Sequence, residues 1–68
     1  MTARVSLMER IIDRLATDEA RKAVEIAGAD EKTKLSKNVT MMKAWLYSNL
    51  EQQIVKDAII KVVKDSCG

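Results

Sequence analysis

Leu35-Ser36-Lys37-Asn38-Val39-Thr40-Met41-Met42-Lys43-Ala44-Trp45-Leu46-Tyr47-Ser48-Asn49-Leu50 is the stretch on which the fold turns. Its apolar residues Leu35, Val39, Met42, Leu46 and Leu50 recur at i, i+4, i+7, i+11 and i+15. That spacing puts them on one face of an α-helix, whereas a half-buried strand would alternate with period two. Ser36 or Asn38 stands where an N-cap belongs, because a short polar side chain there satisfies an otherwise orphaned backbone N–H. Downstream the same seam runs on through Ile54, Ala58, Ile59 and Val62, with Val55 and Val63 widening it. Ile60 lies outside the stripe, so the segment is apolar on more than one side. Ser48-Asn49-Leu50-Glu51 has the spacing of a capping box, which would break the helix near Ser48. The other reading is one continuous helix over about 38–65, with Asn49 in its seam.

Upstream, Ser6-Leu7-Met8-Glu9 has the same capping-box spacing, and Val5, Met8, Ile12 and Leu15 follow at helical intervals with Ile11 beside them. Beyond Leu15 the apolar residues become small: Ala16, Ala20, Ala23, Val24 and Ala27. Thr17-Asp18-Glu19 either restarts a helix or lies on the outer face of a continuous one; one helix over 6–27, kinked near Ala16, is the reading preferred here. Gly28 ends it, because glycine takes the left-handed conformation at no steric cost. Residues 28–36, with Gly28, Asp30, Thr33 and Ser36, make the connection.

Two helices of these lengths would measure about 33 Å and about 42 Å at 1.5 Å per residue. A lone hairpin would leave the broad face of the second helix half uncovered, and pairing two hairpins would cover it. The expected fold is therefore all-α: a single domain over residues 1–68, a helical hairpin assembling as a homodimeric helical bundle. The composition agrees. Proline is absent, glycine occurs only at positions 28 and 68, and Ala, Leu, Ile, Met, Lys and Glu abound.

A 68-residue chain buries only about 60% of its unfolded surface and usually needs support from disulfides, metal or oligomerisation. Cys67 is the one cysteine, so it has no intrachain partner. With no histidine and one thiol, a zinc site would have to be almost all carboxylate. Neither metal nor cofactor is expected. Histidine is also the commonest general base at neutral pH, and no glycine-rich phosphate loop appears. Lys43 and Tyr47 stand one helical turn apart, but their context matches no catalytic pattern; the chain reads as a non-enzyme.

MTARVSLMER is interrupted by charge and lacks the apolar run of a signal peptide, while Ala44 to Leu50 is the longest uncharged stretch. A membrane-spanning helix needs about 20 apolar residues. A cytoplasmic protein with a reduced thiol is expected.

The net charge of +2 is local. Residues 1–28 hold five bases and five acids, and residues 48–68 three of each. The excess comes from Lys32, Lys34, Lys37 and Lys43, which follow Asp30 and Glu31. These lysines are the candidate contacts of a helix-turn-helix-like DNA-binding regulator, with Gly28 as the turn and Leu35–Thr40 as a polar helix start. Two acids where phosphate contacts belong count against it.

Met41, Trp45 and Tyr47, with Met42, gather the bulky adaptable side chains within seven residues. Trp and Tyr anchor interfaces, and Met tolerates imperfect fit. Met41, Trp45 and Tyr47 are accordingly the candidate partner-binding residues, while Leu35, Val39, Met42, Leu46, Leu50, Ile54, Ala58, Ile59 and Val62 form the core or dimer seam. In size and texture the chain looks like the compact helical regulators that phages and plasmids encode, which sequester a host protein. The likeness is one of class and assigns no residue. The function expected is a small protein that binds a cellular protein and inhibits or modulates it.

Overall fold

A computed structural model describes residues 3–67, with side chains from Leu7 to Ser66. The described chain is all helix and loop: α1 (Ala3–Arg14), α2 (Thr17–Ile26), α3 (Glu31–Lys34), α4 (Val39–Ser48) and α5 (Gln53–Cys67). Five helices stand where two long ones were expected. Each boundary has a local cause.

The first helix begins at Ala3, three residues before the expected start, so Ser6 lies inside it; the Ser6 and Val5 side chains lie outside the described set. The continuous helix expected over 6–27 is divided at Leu15-Ala16. Ala16 turns to an extended conformation (φ −73°, ψ 167°), and α2 starts behind it. Thr17-Asp18-Glu19 therefore restarts a helix, the alternative that was not preferred. Glu19 is what makes the restart: its carboxylate reaches back to accept from the Ala16 N–H at 2.8 Å. This is half of a capping box, since an alanine cap has no side-chain acceptor to complete it.

Gly28 closes α2 as expected, at φ +77°. The Gly28 N–H donates to the Glu25 carbonyl at 3.2 Å and the Ala29 N–H to the Val24 carbonyl at 2.9 Å, the paired bonds of a Schellman turn. The connection holds a further single-turn helix, α3. Asp30 caps it, accepting from the Thr33 N–H at 3.2 Å and from the Thr33 hydroxyl at 2.8 Å. Asn38 caps α4 through the Thr40 N–H at 2.9 Å.

Of the two readings near Ser48, a break or a continuous helix, the structure has the break, but Ser48 ends α4 and does not cap α5. Asn49 makes the break. Its amide donates to the Trp45 carbonyl at 2.8 Å, beside the Asn49 backbone N–H at 3.1 Å, and accepts from the Gln52 amide at 2.9 Å, local bonds that compete with continuing the helix.

Because the chain breaks at these points, its segments fold back on one another. The longest dimension is 31 Å, short of the roughly 42 Å that an unbroken second helix would need. The radius of gyration, 10.8 Å, is that of a compact chain of this length, about 11 Å. The small side chains of α2 bring α4 and α5 close: Ala20, Ala23 and Val24 are fully buried together with Ile12, Met42, Leu46, Val55, Ile59 and Val62. Most of the broad face of α5 that seemed to require a second copy, Val55, Ala58, Ile59 and Val62, is thus covered within one chain, while Ile54 stays exposed.

Candidate protein-binding surface

α4 presents three strips, and each side chain falls on one of them by helical geometry. Met42 and Leu46 point into the core and are fully buried. Lys43 and Tyr47, on one flank, reach α1. The Lys43 ammonium donates to the Asp13 carbonyl at 2.8 Å, and the Tyr47 hydroxyl donates to the Asp13 carboxylate. Two side chains one turn apart thereby clasp the last turn of α1, where exposed carbonyls attract a cation. Tyr47 is also packed partly against the core.

Met41 and Trp45 occupy the opposite flank. Met41 is 43% exposed, and its sulfur lies 3.7 Å from the Ser36 hydroxyl. Trp45 packs partly against the core but keeps an open edge. No buried side-chain nitrogen or oxygen among the described residues lacks a hydrogen-bond partner. Among the described residues the indole N–H has no acceptor, and the ring itself is only partly buried. Of the three candidate residues, the structure thus sets Met41 and Trp45 side by side and turns Tyr47 away towards α1.

Of the seam residues, Met42, Leu46, Leu50, Ala58, Ile59 and Val62 are buried and Val39 partly so. Leu35, at 77%, and Ile54, at 49%, stay outside the core of the single chain. Leu35 misses it because the helix carrying the seam starts only at Val39; it caps the end of α3 instead. Val55, which takes the neighbouring register, is fully buried where Ile54 is not.

The four lysines do not share one surface role. Lys32 and Lys37 are exposed and Lys34 partly so, around the α3–α4 connection, whereas Lys43 is engaged with Asp13.

Two carboxylates are shifted from their ordinary behaviour. The Glu19 carboxyl is held below the usual glutamate value by the Ala16 N–H and then by the Ser66 hydroxyl of α5, which donates to it. Asp30 is held below the usual aspartate value chiefly by the Thr33 hydroxyl. Both do structural work at helix starts. Among the described residues no group of three or more His, Cys, Asp or Glu comes together as a metal site, and no helix is long and apolar enough to cross a membrane.

Sequence reasoning missed the hollow between α1 and α5, lined by Leu7, Met8, Gln53, Lys56 and Ile60 and enclosing about 290 Å³. Ile60 was visible as an apolar residue off the main stripe, but Leu7 gave no such signal, since it read as part of a cap. No family model, curated protein or solved structure matches the chain.

Proposed function

We propose that this protein acts by binding another protein, inhibiting or modulating it without chemistry of its own, and that Met41 and Trp45 form the contact. The single observation that carries the reading is the open strip on α4. A half-exposed thioether lies one turn from a partly buried tryptophan whose N–H has no acceptor among the described residues, on a helix whose inner face is buried and whose other flank is engaged with Asp13. An aromatic anchor beside an adaptable methionine suits a partner's apolar side chain, and the free N–H supplies one directional hydrogen bond. Tyr47 belongs to the fold in this reading. Assembly as a homodimer is part of the same proposal, with the exposed Leu35 and Ile54 as the residues a second copy would cover.

The test compares the wild type with Met41→Lys combined with Trp45→Phe, which keeps the ring packed on the core while removing the N–H and the exposed methionine. Partner capture should fall at least about tenfold while circular dichroism and thermal midpoint stay within error. Capture at wild-type level by the folded variant would remove this surface from the account.

The second reading, a DNA-binding regulator, is supported by the three exposed or partly exposed lysines, Lys32, Lys34 and Lys37, around the Asn38-capped start of α4. Its signature is duplex affinity falling steeply and linearly on a log–log plot against salt. The Lys43 engagement leaves it one contact fewer than the sequence offered.

A further inference from the structure

We infer that the trough between α1 and α5 is a second docking surface, and that its occupant is a short amphipathic helix with acidic residues beside its apolar anchors. The two helices run in the same direction, since Leu7 and Met8 adjoin Gln53, Lys56 and Ile60, while Ile11 and Leu15 adjoin Val63 and Ser66. They are splayed enough to leave two hollows, about 290 Å³ and about 280 Å³, one helical turn apart. Leu7 and Ile60, 58% and 43% exposed, form the walls of the first, with Met8 beneath. Ile11 and Val63 continue the walls into the second.

Two apolar hollows one turn apart match side chains at i and i+4 of an incoming helix, the spacing that helix-in-groove recognition uses. Length decides against a second copy of this chain. From Leu7 to Leu15 the trough spans about 12 Å. At a helix spacing of about 10 Å, that footprint falls far short of the roughly 800 Å² per partner of a stable dimer. Charge decides what flanks the anchors. Lys56 stands at the first hollow with no acid in its lining. Arg14 stands at the second, where the one carboxylate, Glu19, already accepts from the Ala16 N–H and the Ser66 hydroxyl. Among the described residues lining the trough, two cations, Lys56 and Arg14, therefore stand against one carboxylate, Glu19, which keeps its charge.

The probe is a fluorescein-labelled amphipathic peptide with leucines at i and i+4 and glutamates beside them, against a twin carrying lysines at the glutamate positions. Fluorescence anisotropy with the full chain at low salt should favour the glutamate peptide at least about tenfold. Amide shift changes should gather on α1 and α5. Arg14→Glu with Lys56→Glu should invert the preference. Leu7→Ser with Ile60→Ser, both exposed positions, should abolish binding without loss of fold, and the Met41→Lys, Trp45→Phe variant should bind the peptide normally. Equal affinity for the twins, no binding of either, or shift changes centred on α4 would overturn the proposal. Concentration-dependent shifts at Leu7 and Ile60 without peptide would assign the trough to a second copy instead. Tighter association with phosphatidylserine vesicles than with the peptide would assign it to a lipid surface. Either result would likewise overturn it.

Discussion

Single side chains hold the joints of this molecule, and their removal has readable consequences. Gly28 is the simplest case. It sits at φ +77° with nothing within 4 Å of where a Cβ would be, so Gly28→Ala meets no clash and pays only for the left-handed backbone. That costs about 1 kcal/mol, measurable as a lower urea midpoint with unchanged slope. Tyr47→Phe removes the hydroxyl from Asp13 but keeps the ring on the core; a loss of about 0.5 kcal/mol is expected in the same assay. Glu19 and Asp30 make stability depend on acid. Their folded carboxyls are held below their ordinary values, so the stabilisation they bring is complete above the unfolded range, near pH 4, and disappears as pH falls through the lowered folded values. Glu19→Gln should flatten the acid limb of a stability–pH curve, and an unchanged limb would show that the Ala16 and Ser66 bonds contribute nothing.

At the scale of elements, the sequence marked helical faces well and helix ends unevenly. Gly28 was legible because one residue type carries the signal, a glycine after an apolar run; the start of α4 was narrowed to Ser36 or Asn38, two short polar residues before an apolar run, and the structure uses Asn38. The division at Ala16 was not, because the cap residue is an alanine and the bond that stops the helix comes from Glu19, three residues on. Asn49 gave the opposite problem. The sequence pointed to a break there through the Ser48–Glu51 spacing, but the structure uses the Asn49 amide on the Trp45 carbonyl and starts α5 at Gln53. Asn49→Ala should therefore cost about 1 kcal/mol by removing the side-chain bonds to the Trp45 carbonyl and the Gln52 amide, while Ser48→Ala should fall within about 0.5 kcal/mol of wild type. Both are read by thermal or urea unfolding. The candidate site was legible in part for the same reason: i,i+4 spacing joined Met41 to Trp45, but it took the fold of α1 against α4 to show that Tyr47 serves Asp13.

At the scale of the whole molecule, the two interior breaks turn a long second helix and a long first one into a core shared by α1, α2, α4 and α5. The alanines of α2 make this possible by letting α5 and α4 approach its backbone. Such a core has little reserve, since a 68-residue domain is stable by only a few kcal/mol, about 0.05–0.15 per residue. Ile59 is fully buried at its centre, and Ile59→Ala should cost about 3 kcal/mol, enough to leave much of the chain unfolded at 37 °C by circular dichroism. With the core closed by one chain, the large apolar side chains left exposed among the described residues include Met41 on α4, Leu7 and Ile60 along the trough, and Ile26, Leu35 and Ile54 elsewhere. The most direct test of the central claim is a quantitative pull-down from source-cell lysate. The tagged wild type and the folded Met41→Lys, Trp45→Phe variant are compared, each with and without nuclease. Protein binding through α4 predicts a stoichiometric, nuclease-resistant protein band with the wild type that the variant loses. The same band at equal strength with the variant, or bands recovered only together with nucleic acid and lost on digestion, would contradict it.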